Sequence, residues 1–381
     1  VNILHVTPTF YPAVYYGGPI HATYGLCNAL AAVRGIRLEV LATDAAGPCR
    51  GERVAAGPGP VRYPGYDVHF MHRRAGKDLA PGLLLRLGPM VRRADVVHIT
   101  GVYSSPTIPA LMAARAIGRP VLWSPRGALL ASHVWRDVPK ARLKTAFEAI
   151  CSRVMPEGTC LHVTSEEEGR ASLARLPAAR AVMIPNGIDV PAAASPRRSR
   201  GEGLRLMFIG RLHPVKALEN LIAAMALAGD VAATLAIHGE GERSYVAGLR
   251  RLASSLGVGE RVRFCGGVAG EAKARAFVDA DVCVLASHTE NFGMAVAEAL
   301  AHGVPVIVSR GVPWAEVERH GCGIEVDNAP EALGGAIRSM AGRDLLRMGD
   351  AGRRWMQRDF AWAPLAARML AAMRQLTGAA P

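Results

Sequence analysis

The sequence predicts an α/β fold of two domains, each built on a parallel sheet, and three observations carry that prediction. The 381 residues exceed the roughly 100 to 200 that one domain usually takes. Short apolar runs alternate with longer helical stretches, as βαβ units require. The alternation breaks once, at Pro185-Asn186-Gly187-Ile188-Asp189 and the aperiodic Pro, Ala, Ser and Arg stretch running to Gly203, and then restarts. The expected organisation is a first domain over 1–190, a linker over 191–203, a second domain over 204–360, and a final helical segment over 361–381 placed to pack back on the first domain.

In the first domain the strands fall near Ile3 to Val6, Leu38 to Ala42, Val68 to Met71, Val96 to Ile99, Val121 to Trp123, Leu161 to Val163 and Val182 to Ile184. Each is a short β-branched or aliphatic run bounded by turn residues. Ile20 to Ala32 and Pro106 to Ile117 are the clearest amphipathic helices. In the second domain strands fall at Leu206 to Ile209, Thr234 to Ile237, Val262 to Phe264, Val282 to Leu285, Val304 to Val308 and Gly323 to Val326. Helices intervene at Leu218 to Ala228, Tyr245 to Leu256, Lys273 to Val278 and Ala295 to Ala301, and the chain beyond Pro330 reads as wholly helical.

Half the residues are apolar, which is globular rather than disordered or fibrous composition. The seven cysteines form no C-x-x-C pair and no cysteine–histidine cluster of zinc spacing, so they read as reduced, mostly buried thiols. The sequence opens on the apolar run Val1 to Val6 without a basic leader and cleavage site, and the expected location is cytoplasmic. No apolar run approaches the ~20 residues of a spanning helix, so membrane contact is expected to be peripheral, at the inner face.

The net charge of +13 is uneven: residues 1–200 hold 25 Lys and Arg against 13 Asp and Glu, and residues 201–381 hold 20 against 19. A basic first half fits an anionic partner, whether a phospholipid surface, a lipid-linked phosphate acceptor or nucleic acid. An arginine-rich surface without any such role fits equally well. Aromatics interleaved with the cations are sparse and no nucleic-acid motif is present, so no nucleic-acid partner is expected.

In an open parallel sheet, ligands bind beyond the carboxyl ends of the strands. In the second half those positions hold Gly210-Arg211, His238-Gly239-Glu240-Gly241, Gly266-Gly267-Val268, Ser287 through Gly293 and Ser309-Arg310-Gly311. Small residues there allow backbone approach to a nucleotide. Arg211 and Lys216, at a loop-to-helix junction, suit a diphosphate: a planar fork and a mobile point charge. Taken alone they are equally two solvated cations. The segment Glu290-Asn291-Phe292-Gly293-Met294-Ala295-Val296-Ala297-Glu298 ends a strand and begins a helix whose free N–H groups can hold a phosphate over Gly293 and Met294. Glu290 and Glu298 can accept hydrogen bonds from sugar and ribose hydroxyls. Taken singly, each is also explained as a helix-start acid or a plain helical residue.

Together these segments resemble the retaining GT-B glycosyltransferases of family 4, in order and spacing: Gly210-Arg211-Leu212 with Lys216, His238-Gly239-Glu240-Gly241, and E-x-F-G-x-x-x-x-E-A over Glu290 to Glu298. The first half adds Tyr11-Pro12 with Gly17-Gly18-Pro19, Asp95-Val96-Val97-His98, Ser124-Pro125-Arg126-Gly127 and Ile184-Pro185-Asn186-Gly187-Ile188-Asp189. The resemblance implies two Rossmann-like domains with parallel sheets facing a central cleft. It also implies transfer of a sugar from a nucleotide diphosphate sugar, UDP- or GDP-linked, with retained anomeric configuration, no metal and no cofactor. The acceptor implied is a glycan or lipid-linked molecule of cell-surface polysaccharide synthesis, as in lipopolysaccharide-building members. The implied donor-binding set is Gly17, Gly18, Gly239, Val268, Asn291, Phe292, Gly293, Met294 and Glu298. Glu290, Arg211 and Lys216 fall at the reacting end.

Two positions depart from the pattern. Ala217 follows Lys216 where the family usually has Gly, and Arg126 stands where many members have a histidine that contacts the donor sugar; nearby His133 is the candidate replacement imidazole. Asp279-Ala280-Asp281 imitates a metal-binding D-x-D but precedes a strand, away from the ligand edge. Two other functions fit the same outline: a GT-B nucleotide-sugar 2-epimerase, which needs no acceptor, and a basic nucleic-acid-binding protein. Loops 44–64 and 132–140 are expected to shape the acceptor site.

Overall fold

The structure, a computed structural model, describes residues 1–49, 51–57, 59–130, 141–192 and 203–378. The chain divides into two compact units, one formed by Val1–Gly187 with Trp362–Pro381 and the other by Ile188–Ala361. In the first unit, strands β1 (Asn2–Thr7), β2 (Arg37–Thr43), β3 (Val61–Tyr63), β4 (Tyr66–Met71), β5 (Val96–Thr100), β6 (Val121–Ser124), β7 (Cys160–Val163) and β8 (Arg180–Met183) form one sheet in the order β3-β4-β2-β1-β5-β6-β7-β8. All neighbours run parallel except β3, which pairs antiparallel with β4 at the edge. The sequence reading has no strand at β3: three residues alternating half-buried and exposed are too short for periodicity to register.

Helices α1 (Gly18–Ala31), α2 (Pro81–Arg93), α3 (Thr107–Ile117), α4 (Ala141–Val154) and α5 (Glu166–Arg175) fill the crossovers. Leu83, Leu87, Ala110, Leu111, Ala114 and Cys151 of α2, α3 and α4 share a core with the sheet residues Leu4, Val97, Ile99 and Trp123. Leu26, Cys27 and Leu30 of α1 share another with Ile3, Val40 and Leu122, so helices cover both sheet faces. The final helix, α12 (Trp362–Thr377), joins this second core through Leu365, Ala366, Met369, Leu370 and Met373. At its start the Trp362 ring lies where a Cβ on either Gly25 or Gly187 would overlap it.

The second unit has β9 (Leu204–Ile209), β10 (Ala233–His238), β11 (Val262–Gly266), β12 (Val282–Leu285), β13 (Val306–Ser309) and β14 (Gly323–Val326), all parallel, in the order β11-β10-β9-β12-β13-β14. Its helices are α6 (Leu218–Leu227), α7 (Arg243–Ser255), α8 (Gly270–Val278), α9 (Met294–Ala301), α10 (Pro330–Ala341) and α11 (Leu345–Trp355). The region beyond Pro330 is not one continuous helix. Asp344 starts α11 by accepting from the Arg347 N–H at 3.0 Å, a wider helical turn over Met356–Phe360 follows, and Ala361 is extended.

Strand order reverses between β1 and β5 in the first unit and between β9 and β12 in the second. At such a switch the loops leaving two adjacent strands diverge to opposite faces and open a crevice at the carboxyl edge. Each unit therefore offers a crevice of this kind at its carboxyl edge.

Candidate active site

In the second unit the carboxyl-edge loops are tied to one another by backbone. Gly210 N–H donates to His238 O at 3.0 Å and Leu212 N–H to Glu240 O at 2.8 Å, joining the loops after β9 and β10. His288 N–H donates to Val215 O at 2.8 Å, bridging the switch itself. Glu290 N–H donates to Gly311 O at 2.9 Å, and Ser309 Oγ to Ser287 O at 2.6 Å. These approaches demand glycine: a Cβ at Gly239 would overlap the Gly210 carbonyl, and one at Gly311 the His288 carbonyl.

This lattice sets Lys216, after β9, against Glu290, after β12. Lys216 Nζ is hydrogen-bonded to Glu290 Oε1, which also accepts from Ser287 Oγ at 2.9 Å. Both side chains are largely enclosed, and each keeps a small part exposed. Arg211 is exposed beside them. Its charge and that of Lys216 both reach His213, whose pKa falls below the ordinary histidine value, first through burial and then through these two cations. Three of the four proposed diphosphate and sugar groups are thereby within one small region.

Glu298 projects from α9 and pairs with Lys273 of α8 at 2.5 Å. It is not an ordinary exposed helical residue. Lys273 is a functional candidate that sequence reasoning passed over, because a lone lysine in a predicted helix has no signature. Gly293 starts α9 at φ +77° and is itself packed, with Val312 and Trp314 against it. Phe292 is core: its ring sits edge-on to Trp314, whose indole N–H donates to the Phe292 carbonyl. Phe292 thus fixes the turn and leaves a ligand only its N–H. Asn291 and Met294 lie half-buried on either side of that turn. Gly239 N–H is taken by Gly266 O at 2.7 Å, and Val268 lies half-buried beyond β11, against the core.

Of the D-x-D lookalike, Asp281 holds the guanidinium of Arg205 at 2.9 and 3.0 Å and its backbone N–H at 2.8 Å, at the amino ends of β9 and β12. Its carboxylate locks two strand starts together. Among the described residues no cluster of three or more His, Cys, Asp or Glu has metal-binding geometry.

In the first unit, Gly17 at φ +73° leads into α1 with Gly18 and Pro19 at its first positions, beside the β1–β5 switch. Arg126 follows β6 at φ +56°, an unusual conformation for a side chain with a Cβ. Its guanidinium donates to Asn186 Oδ1. Gly127 N–H donates to Glu168 Oε1 at 2.5 Å, and the buried Glu168 also accepts from Thr164 N–H and Oγ at 2.7 and 2.9 Å. Burial pulls the Arg126 pKa down, and the Glu168 carboxylate opposes that. Beneath Arg126 a buried chain runs His5–His98–Ser124–His162 to the Ile184 carbonyl. None of Glu168, Asn186 and this histidine row stands out in the sequence as a support for Arg126. His133 lies outside the described residues, as does the whole of loop 132–140.

The loop after β2 is anchored by Arg73, fully buried, which donates to the carbonyls of Gly47 at 2.9 Å and Glu52 at 3.1 Å. Tyr16 Oη reaches Gly47 O at 3.0 Å, tying this loop to the turn before α1.

Known families match both units. Residues 203–342 match the family described as glycosyl transferases group 1, and residues 17–187 match the glycosyl transferase 4-like domain. A GDP-mannose-dependent alpha-(1-6)-phosphatidylinositol monomannoside mannosyltransferase of Mycobacterium tuberculosis is 30% identical over 353 residues, covering 86% of this chain and 85% of that protein. This chain belongs to the group 1 glycosyl transferases. A D-inositol 3-phosphate glycosyltransferase of Mycobacterium marinum is also 30% identical, over 64% of this chain but only 55% of that relative's length. Among solved structures, Anabaena HepE in complex with UDP superposes with a TM-score of 0.73 at 16% identity, over 98% of this chain and 100% of that one. The sucrose-phosphate synthase of Thermosynechococcus elongatus gives 0.71 at 22%, over the whole of both chains. At such identities the likeness is one of fold, and the fold is GT-B.

Proposed function

We propose that this glycosyl transferase moves a sugar from a nucleotide diphosphate sugar, UDP- or GDP-linked, to a glycan or lipid-linked acceptor of the cell surface, keeping the anomeric configuration and using no metal. The protein works at the inner face of a membrane, as a peripheral protein. The observation that carries the reading is the Lys216–Glu290 pair at the strand-order switch, with Arg211 beside it.

Each partner of that pair matches one part of the donor. The diphosphate competes for the lysine and the sugar hydroxyls for the carboxylate, so donor binding exchanges one satisfied set of hydrogen bonds for another rather than stripping water from bare charges. Arg211, Lys216 and the helix start at Gly293 and Met294 then stabilise charge that grows on the leaving diphosphate. Asn291 and Phe292 contribute backbone to the same turn. Glu298, aligned by Lys273, accepts from the ribose hydroxyls, and Gly239 and the backbone at Val268 admit the base. The Gly17 N–H is held by Val14 O at 2.9 Å, so Gly17 serves by letting a phosphate approach the start of α1, where Gly18 offers its N–H, and Arg126 is the first unit's own cation for a substrate anion. The acceptor hydroxyl attacks the face the diphosphate leaves, and a departing phosphate oxygen takes the hydroxyl proton. Both UDP and GDP-mannose occur with related proteins: HepE was crystallised with UDP, and the M. tuberculosis relative is named for GDP-mannose.

The test is a panel of UDP-, GDP-, ADP- and dTDP-sugars, read by thermal stabilisation and by donor hydrolysis before and after chelator treatment. One or two donors are expected to stabilise and to turn over, chelator or not, with the product anomer matching the donor by NMR. Loss of turnover with chelator would remove the metal-free assignment. Free epimerised sugar nucleotide formed without acceptor would replace transfer by epimerisation.

A further inference from the structure

The first unit's basic excess gathers on one layer. Helices α2, α3 and α4 lie side by side on one face of the sheet, with α3 central: Arg119 Nη2 donates to Arg92 O at 2.9 Å, and Arg115 Nη1 to Arg153 O at 2.5 Å. Across their sequences PGLLLRLGPMVRR, TIPALMAARAI and ARLKTAFEAICSRV there are seven Lys and Arg and one acid. That acid, Glu148, is buried and engaged by Arg175 at 2.9 Å. The outward faces of these helices therefore carry cations without any exposed carboxylate. Glu166 and Glu167 at the start of α5 are exposed and bound the layer on that side.

The same faces are apolar to a degree no solvated helix needs. Leu84, Leu85, Met112, Leu143 and Ile150 are exposed, Leu85 at 80% and Leu143 at 68%. Together with Leu79, just before α2, they make six of the twelve large hydrophobics exposed among the described residues. The hydrophobic effect alone would bury them, at about 25 cal/mol per Å², and contiguous exposed apolar residues ringed by charge mark an interaction surface. No described helix is long and apolar enough to cross a membrane.

We propose that the outer face of α2, α3 and α4 docks on an anionic phospholipid bilayer, the leucines and isoleucine entering the acyl boundary while the arginines meet lipid phosphates. Charge and shape chemistry agree on this occupant. Aliphatic side chains between cations fit an interface that is apolar inside and anionic at its surface, whereas a nucleic acid would call for aromatic platforms, which this face lacks. The proposal deepens the peripheral-membrane part of the proposed function and is independent of which donor the enzyme uses.

Vesicle co-sedimentation of the full chain tests it, with about 30 mol% phosphatidylglycerol in phosphatidylcholine against phosphatidylcholine alone. The wild type is expected to bind the anionic vesicles at least about tenfold better, and to weaken as salt rises from about 50 to about 500 mM. Replacing Arg86, Arg92, Arg142 and Arg153 together by Gln should remove most of that preference. Leu85→Ser with Leu143→Ser should weaken binding even at low salt. Both variants should keep the wild-type melting temperature and donor hydrolysis in solution, which separates a docking defect from a folding or catalytic one. Equal binding to neutral vesicles, unchanged binding by both variants, or binding of single-stranded RNA with none to vesicles would overturn the assignment.

Discussion

His5 and His98 face each other across neighbouring strands with their Nδ1 atoms 2.8 Å apart, and the far end of their chain fixes which one carries the proton. Ile184 O can only accept, so His162 donates to it from Nε2 and presents a bare Nδ1 to Ser124 Oγ–H. Ser124 Oγ in turn accepts from His98 Nε2–H, which leaves His98 Nδ1 bare, and His5 must donate to it from Nδ1. Every ring is neutral and every hydrogen bond points the same way along the row. His5 Nε2 is left as a buried acceptor with no partner among the described residues.

That row makes stability depend on pH. Burial, with the Arg126 charge adding to it, lowers His5 and His162 to about 3 and holds His98 well below the ordinary value of 6.5. The unfolded chain binds protons at these sites below about pH 6.5 and the folded chain does not, so the contribution is whole above that pH. It is lost as pH falls from about 6.5 towards 3, at up to roughly 1.4 kcal/mol per pH unit for each histidine. Denaturant unfolding between about pH 7.5 and 4.5 should show this slope. His5→Leu should flatten it by about one proton, and an identical slope in the variant would refute the neutral row.

Lys216→Ala and Glu290→Ala should each lower turnover by about two to four orders of magnitude with folding preserved, the loss expected when transition-state contacts go. Because the two groups act on one leaving diphosphate and one sugar, the double variant should be little worse than either single one. Near-normal turnover in both single variants would remove the site assignment.

Lys273→Ala should raise the donor KM by roughly tenfold while leaving kcat within a few-fold, since it orients Glu298 and lies away from the reacting bond. A fall in kcat of a hundredfold or more would place Lys273 in the chemistry instead.

Two positions with positive φ should respond to very different extents. Gly293→Ala adds left-handed strain and presses a Cβ onto Val312 and Trp314 at 3.2 and 3.3 Å, for a loss of about 2 to 3 kcal/mol together with reduced donor binding. Ala217 already sits at φ +47° and is buried. For Ala217→Gly, relief of strain is offset by a lost buried methyl and a freer unfolded chain, so stability should shift by less than about 1 kcal/mol. Thermal melting of both variants checks the contrast.

Gly25→Ala should destabilise by about 3 kcal/mol or more, because the new Cβ overlaps the Trp362 ring. In a Trp362→Ala background the same substitution should cost far less. Additive losses would show that the tryptophan does not occupy that space.

Strand and helix placement was legible because each relies on local periodicity: β12 and β14 span the residues expected, and β1, β2 and β9 differ by a residue or two at their ends. β3 escaped because an edge strand of three residues has no period to detect. In the site, Glu290 and Glu298 stood out because they flank a glycine turn at a strand-to-helix junction. Lys273, Glu168 and the histidine row did not, since each acts on a residue far away in sequence, and Glu168 and Gly127 are 41 positions apart.

By itself the sequence determined the two-unit α/β architecture and the family, both properties of short-range pattern and motif order. Only the tertiary structure decided that Lys216 meets Glu290, that Asp281 is spent on Arg205, and that Lys273 reaches Glu298. The physical reason is common to all three: such pairings depend on strand order and loop-to-loop hydrogen bonds, and those exist only once the sheets have formed.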